Sequence, residues 1–158
     1  MEKRPLELKH VEIRGGSWKN FSGLPTQYNK AGDRNFTIFV TEDQAEYLES
    51  YGVNVRRRPG REEGDDDLRY IKVNVNLNSK YPPRFYIFTE NADGSVSESE
   101  LGFDEVDKLD GYDIKDANIQ VNLRESDSKI YGHTVTLYLH VGAFLISDGF
   151  KSLFDFKR

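Results

Sequence analysis

Apolar and polar residues alternate with a period of two in several windows of the chain, most cleanly at Ile71, Val73, Val75 and Leu77. Their neighbours Tyr70, Lys72, Asn74 and Asn76 fall on the opposite face, so one side of a strand enters a core and the other shows a ring, a cation and two amides. Val135, Leu137, Leu139 and Val141 alternate with Thr134, Thr136, Tyr138 and His140, and Ile119, Val121 and Leu123 with Asn118, Gln120 and Asn122. Further strands are predicted over residues 10–14, 35–40, 53–57 and 84–88. The period changes at residues 41–49, where a threonine N-cap, early acids and apolar Ala45 and Leu48 predict a short amphipathic helix that Gly52 ends. A weaker helical or turn segment is predicted over residues 97–109. Between strands, residues 60–67 pack five acids around Gly64 and predict an exposed, mobile hairpin tip, and residues 91–95 predict another turn.

About seven short strands and one or two helices in 158 residues predict a single mainly β domain spanning residues 1–158, with flexible N-terminal residues 1–8. A small, closed or nearly closed antiparallel barrel removes the sheet edges and leaves loops to carry function. An oligonucleotide-binding (OB) barrel fits the count. A β-sandwich is the competing arrangement, and periodicity alone does not separate the two.

The longest apolar run, residues 141–146, falls far short of the roughly 20 residues of a membrane-spanning helix, and residues 1–5 lack an apolar signal core. A cytoplasmic location is therefore expected. With no cysteine, disulfide frames, zinc knuckles and thiol catalysis drop out. A net charge of -5 disfavours nonspecific duplex binding, but it hides a polarity: residues 1–61 hold 11 lysines and arginines against 8 acids, and the rest hold 11 against 19.

That basic part contains the most informative segment. From Arg14 to Val40, Trp18, Phe21 and Tyr28 are interleaved with Arg14, Lys19, Lys30 and Arg34. Rings stack on bases irrespective of sequence and cations follow the phosphate backbone, a mixture suited to single-stranded nucleic acid. The same rings could instead plug a barrel end. Arg56, Arg57 and Arg58 alternate faces in a strand, so Arg56 and Arg58 reach one groove while Arg57 points away. Tyr70, Lys72, Lys80, Tyr81 and Arg84 extend the set of candidate DNA-binding residues.

Signals of catalysis are poor. His10, His133 and His140 fall at no metal-ligand spacing, and the acidic tip lacks the residue order of a calcium loop. Asp104, Asp107, Asp110, Asp113 and Asp116 recur every three residues, but Gly102 and Gly111 disfavour the continuous helix that two-metal catalysis would need. No catalytic residue, metal or cofactor is expected.

Trp18-Lys19-Asn20-Phe21-Ser22-Gly23, Tyr28-Asn29-Lys30, the run from Gly32 to Val40 and Tyr51-Gly52-Val53-Asn54-Val55-Arg56 follow one another at distances that resemble phage-encoded single-stranded DNA-binding proteins with an OB barrel. The resemblance runs in order from about Val11 to Ile146. It implies a noncatalytic protein that coats exposed single strands during replication, recombination or repair in an infected bacterium. Replication or recombination proteins are the implied partners, together with self-association. The terminal Phe154-Asp155-Phe156-Lys157-Arg158 departs from the acidic tail by which many such proteins recruit partners. Two readings from other classes stand beside this one: a structural or adaptor β-domain of a virion, and a metal-dependent nuclease using the aspartate-rich region.

Overall fold

In the computed structural model, which describes residues 5–27, 29–130 and 132–147, the alternating windows pair into one sheet. Its strands are β1 (Leu6–Val11), β2 (Lys19–Asn20), β3 (Arg34–Phe39), β4 (Arg56–Arg58), β5 (Leu68–Val75), β6 (Arg84–Glu90), β7 (Val96–Leu101), β8 (Ile114–Ser128) and β9 (Gly132–Ser147). Helix α1 (Glu42–Glu49) follows β3, and a 3-10 helix, Phe103–Gly111, precedes β8. The main path runs β1-β8-β9-β5-β3-β2, with β4 added to β5 and the β6–β7 hairpin added to β9. Pairing is antiparallel except where β9 meets β5 and β6. The fold is therefore mainly β with two helices, and a single continuous sheet replaces the two layers of a sandwich.

The ends of this path approach each other. Glu12 and Phe39 exchange both backbone hydrogen bonds, at 3.1 and 2.8 Å, and Lys19 and Asn20 then pair with Phe36 and Asn35 of the same strand. Contact between the flanks is thus a single bridge followed by a two-residue ladder, not a full ladder closing a cylinder.

Core residues come from the inward positions of the alternation. Phe21 stacks on Phe36 with centroids 4.7 Å apart, and both meet the Phe144 ring edge-on. Val73, Ile38, Ile119, Val121, Leu137 and Leu139 fill the surrounding layers, each buried. Gly142 makes room for this cluster: a Cβ there would lie 2.5 Å from the Phe144 ring, so the close approach requires glycine. Helix α1 covers one end with Ala45 and Leu48, its start fixed by a capping box between Thr41 and Gln44. The 3-10 helix contributes Val106 and Leu109.

Three expectations need correction. Residues 6–8 belong to β1, with Leu6 and Leu8 buried against β8, and so are not a flexible lead-in. The segment over residues 97–109 divides into β7, paired along its length with β6, and the 3-10 helix, because Gly102 separates two different periods. Strands β8 and β9 extend well beyond their apolar windows into a hairpin whose outer half is polar, where cross-strand contacts of Ser126 with Thr134 and of His133 with Asp127 and Glu125 accompany the backbone ladder.

Phe21→Ala empties the middle of the aromatic cluster and is expected to lower unfolding free energy by about 3–5 kcal/mol. Denaturant titration followed by circular dichroism measures this loss.

Candidate nucleic-acid interface

On β3 and β5 the register places Phe39 beside Tyr70, Thr37 beside Lys72 and Asn35 beside Asn74. Side chains of directly paired residues share a face, so these six form the outward surface while Phe36, Ile38, Val73 and Val75 point into the core. On the other side of β5, Arg56 pairs with Tyr70 and Arg58 with Leu68, which extends that surface onto β4.

The chain between Glu12 and Lys19 bulges over this surface. It carries the short 3-10 turn Gly16–Trp18 and brings Trp18 edge-on to Phe39, with centroids 5.2 Å apart, and to Tyr70 at 5.7 Å. Phe39 and Tyr70 complete the triangle at 5.8 Å. The Arg14 guanidinium lies 4.2 Å from the Phe39 centroid and also pairs with Glu12. Beside the rings opens a cleft of about 770 Å³ lined by Arg14, Trp18, Arg58, Arg61, Asp65 and Asp66, among others. Trp18 and Tyr70 are half-buried, whereas Phe39 is only 7% exposed and acts as the floor on which the other two rest.

Ion pairing divides the cations into two groups. Arg57 forks onto Glu49 at 2.8 and 2.9 Å and reaches Glu42 at 3.1 Å, which ties β4 to α1 and fits a side chain turned away from the cleft. Arg69 also donates to Glu42. These hydrogen bonds, from Arg69 first and Arg57 second, hold the Glu42 carboxyl below its ordinary pKa, and Arg57 does the same to Glu49. Arg84 grips Glu100 through two bonds of 2.8 and 3.1 Å. By contrast, Arg56, Arg58, Arg61, Lys72 and Lys80 are exposed and make no ion pair among the described residues.

Several residues singled out in the sequence lie elsewhere. Phe21 is 0% exposed and belongs to the core, so its ring offers no face to a base. Lys19 is 8% exposed and donates to the carbonyl oxygens of Leu109, at 3.0 Å, and Tyr112. Burial lowers its pKa, opposed by the nearby Asp110 and Asp113, and its ammonium fastens the 3-10 helix to β2 instead of meeting solvent. Arg34 donates to the Phe21 carbonyl oxygen and to Asp107, each at 2.6 Å. Lys30 is exposed at the start of a turn that the Asp33 N–H closes onto its carbonyl oxygen, Tyr28 lies outside the described residues, and Arg84 is committed to Glu100. Lys80 and Tyr81 line a different cleft, with Arg124 and Tyr138.

The three-residue aspartate spacing has a structural use. Residues three apart eclipse on a 3-10 helix, which puts Asp107 and Asp110 toward the segment after β2. Asp107 meets Arg34, and Asp110 accepts from the backbone N–H groups of Phe21, at 2.7 Å, and Ser22, at 3.0 Å. No cluster of three or more histidines or acids placed to hold a metal occurs among the described residues.

Phe39 is a member of the ring cluster that residue types alone did not single out. Strict alternation through Asn35, Thr37 and Phe39 carried the signal, but a phenylalanine beside buried Ile38 and Val40 reads as core. Arg61 joins the cleft only because the chain folds back at Gly60, where a Cβ would stand 2.5 Å from that of Asp65.

Residues 2–151 match the family model described as "Putative phage ssDNA-binding domain". The single-stranded DNA-binding protein from bacteriophage Enc34 superimposes with a TM-score of 0.51 at 8% identity, covering 87% of this chain and 78% of that one. Its C-terminal truncation gives a TM-score of 0.47 at 13% identity, with 90% and 85% covered. For gp2.5, the single-stranded DNA-binding protein encoded by bacteriophage T7, the values are 0.40, 12%, 92% and 93%. No curated protein matches the chain. The similarity to the Enc34 protein is one of fold.

Depressed carboxyl pKa values at Glu42 and Glu49 stabilise the fold above the ordinary carboxylate range, a contribution that disappears as pH falls through the depressed folded values. Glu42→Gln removes one such group, so the acid limb of a Tm-against-pH curve is expected to be shallower than in the wild type.

Proposed function

This chain belongs to the phage ssDNA-binding domain family, and from that premise we propose that it coats exposed single-stranded DNA during phage replication, recombination or repair. It does so without catalysis, in the cytoplasm of the infected host. One observation carries the reading: an accessible ring pair, Trp18 and Tyr70, rests on Phe39 beside a cleft lined by Arg58 and Arg61, neither of which makes an ion pair among the described residues. A base stacks on the exposed ring faces, and Arg56, Arg58, Arg61 and Lys72 follow the phosphates on either side. Arg14, paired with Glu12, props the Phe39 floor.

The barrel belongs to the same proposal. Following the pairings from β1 to β8, β9, β5 and β3, and back to the β1 extension through Glu12–Phe39, gives a five-membered circuit with one parallel contact, β5 with β9. That circuit supports an OB-like barrel with the ring cluster on its outer β3–β5 face, the surface on which such folds hold oligonucleotides. Replication or recombination proteins are the natural partners of a strand-coating protein, and self-association along DNA would make its binding cooperative.

Binding should favour single strands over duplex of equal length and vary little with sequence. Trp18 is the only tryptophan, so its emission reports directly on the cleft and should be quenched by oligo(dT). Equal affinity for the two forms would remove the stacking argument.

Tyr70→Ala is expected to cost about 1–3 kcal/mol of single-strand affinity. Because the ring also packs against Trp18 and Phe39, stability should fall by about 0.5–1.5 kcal/mol. Fluorescence titration and thermal melting separate the two effects.

Replacing both Arg56 and Arg58 by alanine should weaken binding alike for all sequences and flatten the log-log salt dependence by roughly 0.7 for each phosphate that is no longer neutralised. An unchanged slope would make the arginine run a device that protects the strand edge.

A further inference from the structure

We propose a second nucleotide subsite, on the outer face of the β8–β9 ladder, formed by Tyr138, Arg124, Tyr81 and Lys80. It rests on the reading that the Trp18 cleft takes single-stranded DNA, and it extends that contact to another segment of the same strand.

The site is a cleft of about 290 Å³ whose polar lining also includes Asn76 and Asn122. Its chemistry repeats that of the first cleft from unrelated parts of the chain. Tyr81 is 75% exposed, with the Lys80 ammonium 5.6 Å from its centroid. Arg124 holds its guanidinium 5.9 Å from the centroid of Tyr138. No acid lines the cleft, and neither Lys80 nor Arg124 has an ion pair among the described residues. Two uncompensated cations beside two rings favour a ligand with both negative charge and aromatic faces, and the amides of Asn76 and Asn122 can meet base edges.

Continuity with the first cleft identifies the occupant as the same strand. Tyr70, Lys72 and Asn74 follow one another along the outward face of β5, and the parallel register sets Asn74 beside Tyr138. A smaller depression of about 260 Å³, lined by Asp33, Arg34, Asn74, Asn76 and Tyr138, adjoins the second cleft at Asn76 and Tyr138 and reaches β5 at Asn74. From Tyr70 to Asn74 the strand rises about 13 Å, so a short oligonucleotide seated on Trp18 and Tyr70 ends before Tyr138 and a longer one reaches it.

The difference in length supplies the test. The double variant Tyr81→Ala/Arg124→Ala alters two exposed side chains, and its melting temperature confirms folding. Trp18 quenching is titrated with oligo(dT) of about 3 nucleotides, which at about 3.4 Å per nucleotide falls short of the distance from Tyr70 to Asn74, and of about 16, the upper end of OB-domain site sizes. Affinity for the longer oligonucleotide is expected to fall about 5- to 100-fold, with the salt slope lowered by roughly 0.7, while affinity for the shorter one stays at the wild-type value. Unchanged affinity for both lengths, with wild-type quenching intact, would overturn the second subsite and leave the first standing. An equal loss at both lengths would also overturn it, since the residues would then act on the whole fold. Absence of quenching in the wild-type protein would instead sink the reading of the Trp18 cleft.

Discussion

Much of this molecule depends on how the first strand is shared. Its N-terminal half pairs with β8, and its continuation crosses to β3 at Glu12–Phe39, Lys19–Phe36 and Asn20–Asn35. Residues 13–18 lie between the first two crossings, opposite only residues 37 and 38 of the partner strand. Excess chain on one strand must leave the plane of the sheet. Here it carries Trp18 and Arg14 onto the outer face, so the contact that draws the flanks of the sheet together also builds the ring cluster.

The segment after β2 is held with comparable care. Lys19 reaches across to two carbonyl oxygens of the 3-10 helix region, Asp110 caps the backbone at Phe21 and Ser22, and Arg34 spans Phe21 and Asp107. Burying an ammonium is costly unless its donors are satisfied, and these acceptors make the arrangement tolerable. Consequently Phe21 is fixed in the core, stacked on Phe36 and against the Phe144 ring. Lys19 and Arg34 thus serve architecture, while the cations without an ion pair among the described residues include Arg56 and Arg58 on β4, Lys72 on β5 and Arg124 on β8.

Carboxylates therefore sort the basic residues. Arg57, Arg69 and Arg84 are locked to Glu42, Glu49 and Glu100, and Arg34 to Asp107. A phosphate would have to displace an existing partner at each of these positions. At Arg56, Arg58 and Lys72 no such competition exists among the described residues, which makes the outer face of β4–β5 the more receptive surface. Asp65 and Asp66 narrow this advantage at the cleft mouth, where they stand beside Arg58 and Arg61.

Alternation by itself determined the mainly β character, the inward sets on β3, β5, β8 and β9, the outward position of Tyr70, and the opposite facing of Arg57 from Arg56 and Arg58. These are local properties, since a strand's side chains point by parity wherever the strand is placed. The N-cap at Thr41 and the stop at Gly52 were legible for the same reason. Which rings stay accessible was not. Phe21 and Trp18 lie three residues apart in similarly polar surroundings, yet one is sealed by Phe36 and Phe144 and the other rests on Phe39 and Tyr70. Likewise Lys19 and Arg34 carry the same charge as Arg58, and only the arrival of the 3-10 helix, 90 and 73 residues later in sequence, commits them to carbonyls and a carboxylate. Burial and ion pairing depend on long-range partners, so the tertiary structure alone decided which of the candidate residues have a free face or charge to offer a nucleic acid.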